Sequence, residues 1–455
     1  MHKHLIIPLA ALALLTSCAA GNAVKDTAYS MARRHKYGTN TPTINIENRA
    51  VQQYLSYGPY ADFGSTSYFE THADVLNREL CIDQDAPASF DIEWTGDVSR
   101  RYTISYSDIN TGRDFTQSVA GTHYSFINLV PGHYYTFVVT DESSQAIHVG
   151  DFKAEGQLRH VTIADSWNYR DLGGWRGLGD RPIRYEWLYR GGSLNGTWTG
   201  TEQASYSTVG TPANYVFSDE GKQQIRDLGI RAELELRGRT DEGKWGDESG
   251  IHSRAILEPH IPIATEDYLQ MMTDGGLTVP LKYYSVVQDV AFIIQKVVYE
   301  GKPLAFHCKS GADRTGAMGM ILEALLGVAP GDIARDYELT ALSHEKRILN
   351  GRSSFQMRRA DQTGSDFFKR GFTTLTPPSV DGTSLMQAQA YYYLNQQFAA
   401  EGIAISARDL DAFIMHMLGM SKKEYTPYRH AWGKDYGHTL QSVYAKPQPF
   451  DPKDK

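Results

Sequence analysis

The stretch Phe306-His307-Cys308-Lys309-Ser310-Gly311-Ala312-Asp313-Arg314-Thr315-Gly316 sets a thiol, several small residues and a guanidinium at fixed spacing. A cysteine becomes a nucleophile when N–H groups and positive charge stabilise its thiolate. Arg314 can grip two oxygens of a tetrahedral anion at once. That grip strengthens as charge builds on those oxygens in a transition state. Thr315 can donate a hydroxyl hydrogen bond to the sulfur, making it a better leaving group. Cys308 and Arg314 are thus the catalytic candidates. Lys309, Ser310, Gly311, Ala312, Asp313, Arg314 and Thr315 are the candidates for anion binding. His307, on the strand side, reads as a brace for the loop rather than a base.

The flanking residues supply the elements that must position this chemistry. Leu304 to Phe306 is an apolar run that predicts a buried strand. Gly311 and its small neighbours permit a tight loop. From Arg314 or Thr315 to Leu326 the chain predicts an apolar helix, stopped by Gly327. A strand–loop–helix points backbone N–H groups at one spot, and the helix dipole adds to them. Such a cradle binds a tetrahedral oxyanion.

His-Cys-x5-Arg-Thr resembles the signature of cysteine-dependent phosphatases, the protein tyrosine phosphatase superfamily. Asn168-Tyr169-Arg170-Asp171-Leu172-Gly173-Gly174 is similar to the Asn-Phe-Arg-Asp-Leu-Gly-Gly box of atypical bacterial tyrosine/lipid phosphatases. Residues 188–194, LYRGGSL, resemble their Leu-Tyr-Arg-Ser-Gly-x-Leu, and 228–242 resemble their Gly-Ile-x-x-Val-x-Asp-Leu-Arg strand. Later helices match as well, so the resemblance covers about 160 to 430. It implies attack by Cys308 on phosphorus, a phosphocysteine intermediate, and hydrolysis by water without metal or other cofactor. Arg and amides would supply the charge that a metal supplies elsewhere. Departures are Glu235 in place of the family's Asp, and Ala312 where many relatives carry Lys; Lys309 is kept.

The first step of such a reaction wants a general acid. Asp313 in the loop is favoured, with Glu235 second, since both sit in family boxes. Glu266 and Asp267 are further candidates, because the Ile-Pro-Ile run before them resembles the acid loop of dual-specificity phosphatases. Arg170 and Asp171 are expected beside the cradle, where Asp171 could equally brace the turn before Gly173-Gly174. The basic segment 343–382 reads as a solvated loop or a recognition lid.

From about 160 onward strand-like and helical runs alternate, which predicts an α/β domain with a mainly parallel sheet. It occupies 157–430, with 431–455 as a C-terminal tail. Residues 44–156 instead give short β-branched and aromatic runs separated by turns, a sandwich pattern. Leu129-Val130-Pro131-Gly132-His133-Tyr134-Tyr135 resembles the corner of fibronectin type III domains, which implies Tyr135 as corner tyrosine and Trp94 as core aromatic. Residues 19–43 read as a tether. Residues 1–18 carry Lys3, an apolar run from Leu5 to Leu15, and Leu15-Thr16-Ser17-Cys18, which resembles a bacterial lipoprotein signal. That implies lipidation at Cys18, export, and anchoring to the cell envelope. Only Cys81 and Cys308 then remain of three cysteines, too few for a disulfide framework.

At 455 residues the chain exceeds what one core usually serves. It is 41% hydrophobic and 22% charged, ordinary for a globular protein. A net charge of −8 gives no reason to expect a nucleic acid partner. The expected partners are a phosphorylated substrate and, through the anchor, a membrane. Three functions are open: hydrolysis of phosphotyrosine-type esters, hydrolysis of inositol phosphates or phosphoinositides, and a non-enzymatic surface adhesion or sensing protein that binds phosphate without turnover.

Overall fold

Two patterns of burial organise the chain, and each builds its own unit. The computed structural model describes residues 41–58, 86–194, 197–198, 215–216, 218–236, 254–255, 284–308, 311, 313–343, 348–349, 352–353, 387, 390–391, 394–395, 398–399 and 402–435, with 197–198, 215–216, 254–255, 284–286, 313–314, 317, 341, 348–349, 352–353 and 431–435 described by backbone alone. One unit comprises Met1–Ile46 and Pro87–Gln157, the other Glu47–Ala86 and Leu158–Lys455.

The first unit is all β. Strands β1 (Thr43–Asn45), β3 (Arg101–Asp108), β4 (Arg113–Ala120), β6 (Tyr134–Thr140) and β7 (Ala146–Glu155) form a five-stranded sheet in the order β1-β7-β6-β3-β4. Strands β2 (Phe90–Glu93) and β5 (His123–Phe126) pair antiparallel as a second sheet. Alternate residues of both sheets meet in one core, including Ile92, Trp94, Ile104, Phe126, Tyr135, Phe137 and Phe152. Rings dominate it: Phe90 stacks on Phe152 with centroids 4.1 Å apart. The Val130 N–H donates to the Tyr135 hydroxyl at 2.8 Å, tying the Leu-Val-Pro-Gly corner to β6.

The second unit is α/β. Its sheet has the order β11-β10-β12-β9-β8, with β8 (Arg170–Asp171), β9 (Leu188–Gly191), β10 (Ala232–Glu235), β11 (Arg254–Ala255) and β12 (Leu304–His307). All its pairings are parallel except β8 on β9. The strand β12 is buried on both faces, which explains its continuous apolar run. Leu304 and Phe306 join residues of α4 (Asp313–Leu326) and α6 (Ala407–Leu418) in a large core. Ala305 joins Tyr189 and the α2 (Asp219–Asp227) residue Ile225 in a smaller one. Completing the unit are α3 (Tyr284–Ile294), α5 (Pro330–Leu339) and α7 (Lys422–Asp435).

The sequence pattern placed 49–56 inside the β region, but these residues form helix α1 (Arg49–Ser56) of the α/β unit. Asn48 caps it, its Oδ1 accepting from the Val51 N–H at 2.9 Å. Ala50, Val51 and Tyr54 line one face and enter the large core. The Tyr54 hydroxyl donates to Glu338 Oε2 at 3.2 Å, and Arg335 donates to the Leu55 carbonyl at 3.1 Å. Eight residues cannot announce such a partner when it lies about 280 positions away. The tail boundary also shifts, because α7 runs on to Asp435.

Candidate active site

Cys308 follows directly on β12, at the carboxyl end of the parallel strands, where open α/β sheets bind ligands. It is buried in the core that holds Phe306. Gly311 turns the loop with φ +69°, and a Cβ there would lie 2.5 Å from the Gly191 carbonyl carbon. Both the left-handed backbone and the contact with β9 exclude a side chain. Helix α4 then starts at Asp313, so its positive end faces the loop. Thr315 is fully buried, and among the described residues its Oγ1 has no hydrogen-bond partner.

His307 points to the face opposite Phe306, by the alternation of the strand. Its Nε2 lies 2.7 Å from Glu233 Oε1, and its Nδ1 lies 3.3 Å from the Cys308 carbonyl and 3.8 Å from Glu235 Oε1. All three side chains are fully buried. His307 thus sits between Glu233, Glu235 and the Cys308 carbonyl. The ligand atoms of Glu233, Glu235 and His307 lie within 4.8 Å of one another, a spacing that could also hold a metal ion.

Behind the loop lies a second, larger polar cluster. Arg170 donates through Nε to Asp336 Oδ1 at 2.9 Å and through Nη1 to Asn168 Oδ1 at 2.8 Å. Arg190 donates to the other oxygen of Asp336. Trp175 adds an indole N–H to Asp336 at 3.3 Å. Burial alone would raise the Asp336 pKa, but Arg170 and Arg190 hold it below the usual carboxylate range. Glu323 of α4 sits in the same cluster, and among the described residues neither of its carboxyl oxygens has a hydrogen-bond partner. Burial, then the charge of Asp336, push its carboxyl well above the ordinary value. The arrangement is a neutral Glu323 beside an ionised Asp336, with two guanidinium groups around it. His160 is buried there without partners for either ring nitrogen, and burial with the nearby Arg170 lowers its pKa to about 3. Gly319 lets the cluster reach α4: a Cβ there would lie 2.7 Å from Arg190 Nη1.

Two side chains of this cluster touch the loop. Asn168 Nδ2 donates to the Gly311 carbonyl at 3.1 Å, and Arg190 Nη2 approaches the same oxygen at 3.4 Å. Asp171, on the opposite face of β8 from Arg170, braces instead. It accepts from Arg159 Nη1 at 3.1 Å, from the Gly173 N–H at 2.9 Å and from the Glu186 N–H at 2.7 Å. Its burial outweighs Arg159 and pushes its pKa up to about 6.

Of the sequence candidates, the structure therefore gathers Cys308, Gly311, Thr315, His307, Glu235 and Arg170 around one loop. It sets Asp171 to work on the turn before Gly174. Lys309, Ser310, Ala312, Glu266, Asp267, Cys18 and Cys81 lie outside the described residues, as do the side chains of Asp313 and Arg314. Sequence reasoning missed the roles of Asn168, Arg190, Glu233, Glu323 and Asp336. A weak signal existed for Glu323, a single charge inside the apolar run Met320-Ile321-Leu322-Glu323-Ala324-Leu325-Leu326.

Comparison with known proteins agrees with this geometry. Residues 161–431 match the model of the tyrosine phosphatase family. A Cupriavidus necator protein whose name places it among the tyrosine-protein phosphatases is 27% identical over 199 residues. That alignment covers 40% of this chain and 64% of the relative, less than two thirds of its length.

Proposed function

The chain belongs to the tyrosine phosphatase family, and we propose that it hydrolyses phosphomonoesters through a phosphocysteine at Cys308. The observation that carries this reading is Cys308 at the end of β12, followed by the Gly311 turn and the start of α4. The Cys308 thiolate attacks phosphorus, and the bond from phosphorus to the leaving oxygen breaks. Arg314 and loop N–H groups hold the equatorial oxygens as charge builds. A carboxyl group gives its proton to the leaving oxygen. We assign this to Asp313 rather than Glu235, because Glu235 is fully buried beside His307. Water then attacks phosphorus, the S–P bond breaks, and inorganic phosphate leaves. Thr315 donates to the departing sulfur; its buried hydroxyl supports this.

We take phosphotyrosine-type aryl phosphates as the substrate class. Inositol phosphates are the second reading, since Lys309 is present but Ala312 replaces the second lysine. Activity on aryl phosphate with none on inositol phosphates would remove that second reading. The β unit is read as a fibronectin III-like spacer, supported by the Tyr135 contact with Val130. Residues 1–18 are read as a lipoprotein signal, so fatty-acid labelling in a bacterial host should vanish in Cys18→Ser. The core test is Cys308→Ser, which should abolish vanadate-sensitive hydrolysis of p-nitrophenyl phosphate. Hydrolysis at the wild-type rate would instead refute the mechanism and favour binding without turnover.

A further inference from the structure

Asn168 and Arg190 come from different elements, yet both aim a donor at one atom, the Gly311 carbonyl oxygen, at 3.1 and 3.4 Å. Neither side chain is loosely held. Both are buried; Asn168 Oδ1 accepts from Arg170, and Arg190 donates to Asp336. The peptide they grip cannot be packed another way by a bulkier residue, because Gly311 sits against Gly191 and Gly192 in a left-handed conformation. In a trans peptide the carbonyl and the following N–H point in opposite directions. Fixing the Gly311 carbonyl therefore fixes which way this peptide plane faces.

We propose that Asn168 and Arg190 are positioning residues that set the polarity of the phosphate cradle by anchoring the Gly311 carbonyl. Turning this peptide over would cost twice. The buried carbonyl would lose its donors, and a partial negative charge would replace an N–H donor facing the phosphate. The guanidinium–Asp336 pairs keep the donors aimed. The inference deepens the phosphatase reading and rests on it.

Asn168 itself has φ +57°, a left-handed conformation that Asn and Asp both tolerate. Asn168→Asp thus preserves the backbone and the acceptor for Arg170; it removes the donor to Gly311, with a longer one to Thr340 Oγ1 at 3.4 Å, and sets a carboxylate oxygen against the carbonyl. The full-length chain is assayed with p-nitrophenyl phosphate, with inorganic phosphate as the competing probe. The variant should lose about tenfold to a hundredfold in kcat/KM, the order expected of one donor in an oxyanion site. Its inhibition constant for inorganic phosphate should rise at least severalfold, while the far-ultraviolet circular dichroism stays that of wild type. If less of the variant folds, Arg190→Lys reads the same two quantities, since Lys keeps a charge for Asp336 but cannot also bridge to Gly311. Wild-type kcat/KM and phosphate inhibition per folded chain, with only the melting temperature changed, would overturn the positioning role. A wild-type chain that neither hydrolyses the ester nor binds phosphate would overturn the phosphatase reading, and this inference with it.

Discussion

In the β unit the deeply buried large side chains are rings, Phe126 and Phe152 among them, whereas in the α/β unit Arg159 and Arg190 are as buried as Trp175 and Phe306. Asp108 is the buried charge of the β unit among the described residues, and it serves a turn, accepting from the Asn110 and Thr111 N–H groups. The α/β unit buries two charged groups of residues, Glu233, Glu235 and His307 at the end of β12, and Arg170, Arg190, Glu323 and Asp336 behind the loop that follows it. Apolar burial holds a shape through non-directional contacts and leaves no charge to be paired. Buried charges cost several kcal/mol each in desolvation unless paired, so they are informative about where geometry matters. The difference points to the β unit as support and to the α/β unit as the place of chemistry.

The comparison can be broken most forcefully at Asp336. Asp336→Asn leaves Arg170 and Arg190 without their counter-charge, and removing one member of a buried ion pair costs about 3–5 kcal/mol. Glu323, neutral beside Asp336, is placed to ionise and take over part of that role. Glu323→Gln alone should therefore change stability little, while the double variant should lose more than the two single losses combined. Urea denaturation of the four proteins measures that coupling. Strict additivity would show that Glu323 carries no such proton.

Phe152→Ala sharpens the comparison from the other side. Deleting a buried ring should cost the β unit about 3–5 kcal/mol. Turnover per folded chain should nonetheless stay within twofold, about the scatter between preparations, if β-unit packing and chemistry are separate. A loss of kcat larger than the loss of folded chain would join the two regions functionally.

His160 gives the most specific effect, confined to acid pH. Its pKa falls from 6.5 in the unfolded chain to about 3 in the fold. The unfolded state therefore binds the proton first, and stability is lost as pH falls from 6.5 towards 3. His160→Leu removes that term, so its stability relative to wild type should rise by about 1.4 kcal/mol per pH unit through this window. Parallel stability curves for the two proteins would show that His160 is not held neutral by the cluster.

The strand, loop and helix around Cys308 were legible because each leaves a local mark: an apolar run, a glycine and a second apolar run. Arg170 and Asp171 were legible as a pair, and the turn before Gly174 was one of two readings for Asp171; their division was not legible, since strand alternation sends neighbours to opposite faces. Asp336 was not legible at all. It sits in the polar stretch Arg335-Asp336-Tyr337-Glu338, and only pairing with Arg170 and Arg190, 166 and 146 residues away, makes it a buried centre. Helix α1 was read as part of the β region for the same reason: its apolar face matches a core that the local sequence does not contain.

The central claim is that Cys308 carries the phosphoryl group during turnover. Rapid acid quench of the wild-type chain during p-nitrophenyl phosphate hydrolysis, followed by peptide mass spectrometry, tests it directly. The account predicts a phosphate on the peptide containing Cys308, increased in Thr315→Ala and absent in Cys308→Ser. Active turnover with that peptide unmodified in both wild type and Thr315→Ala, or with phosphate on another residue, would contradict it.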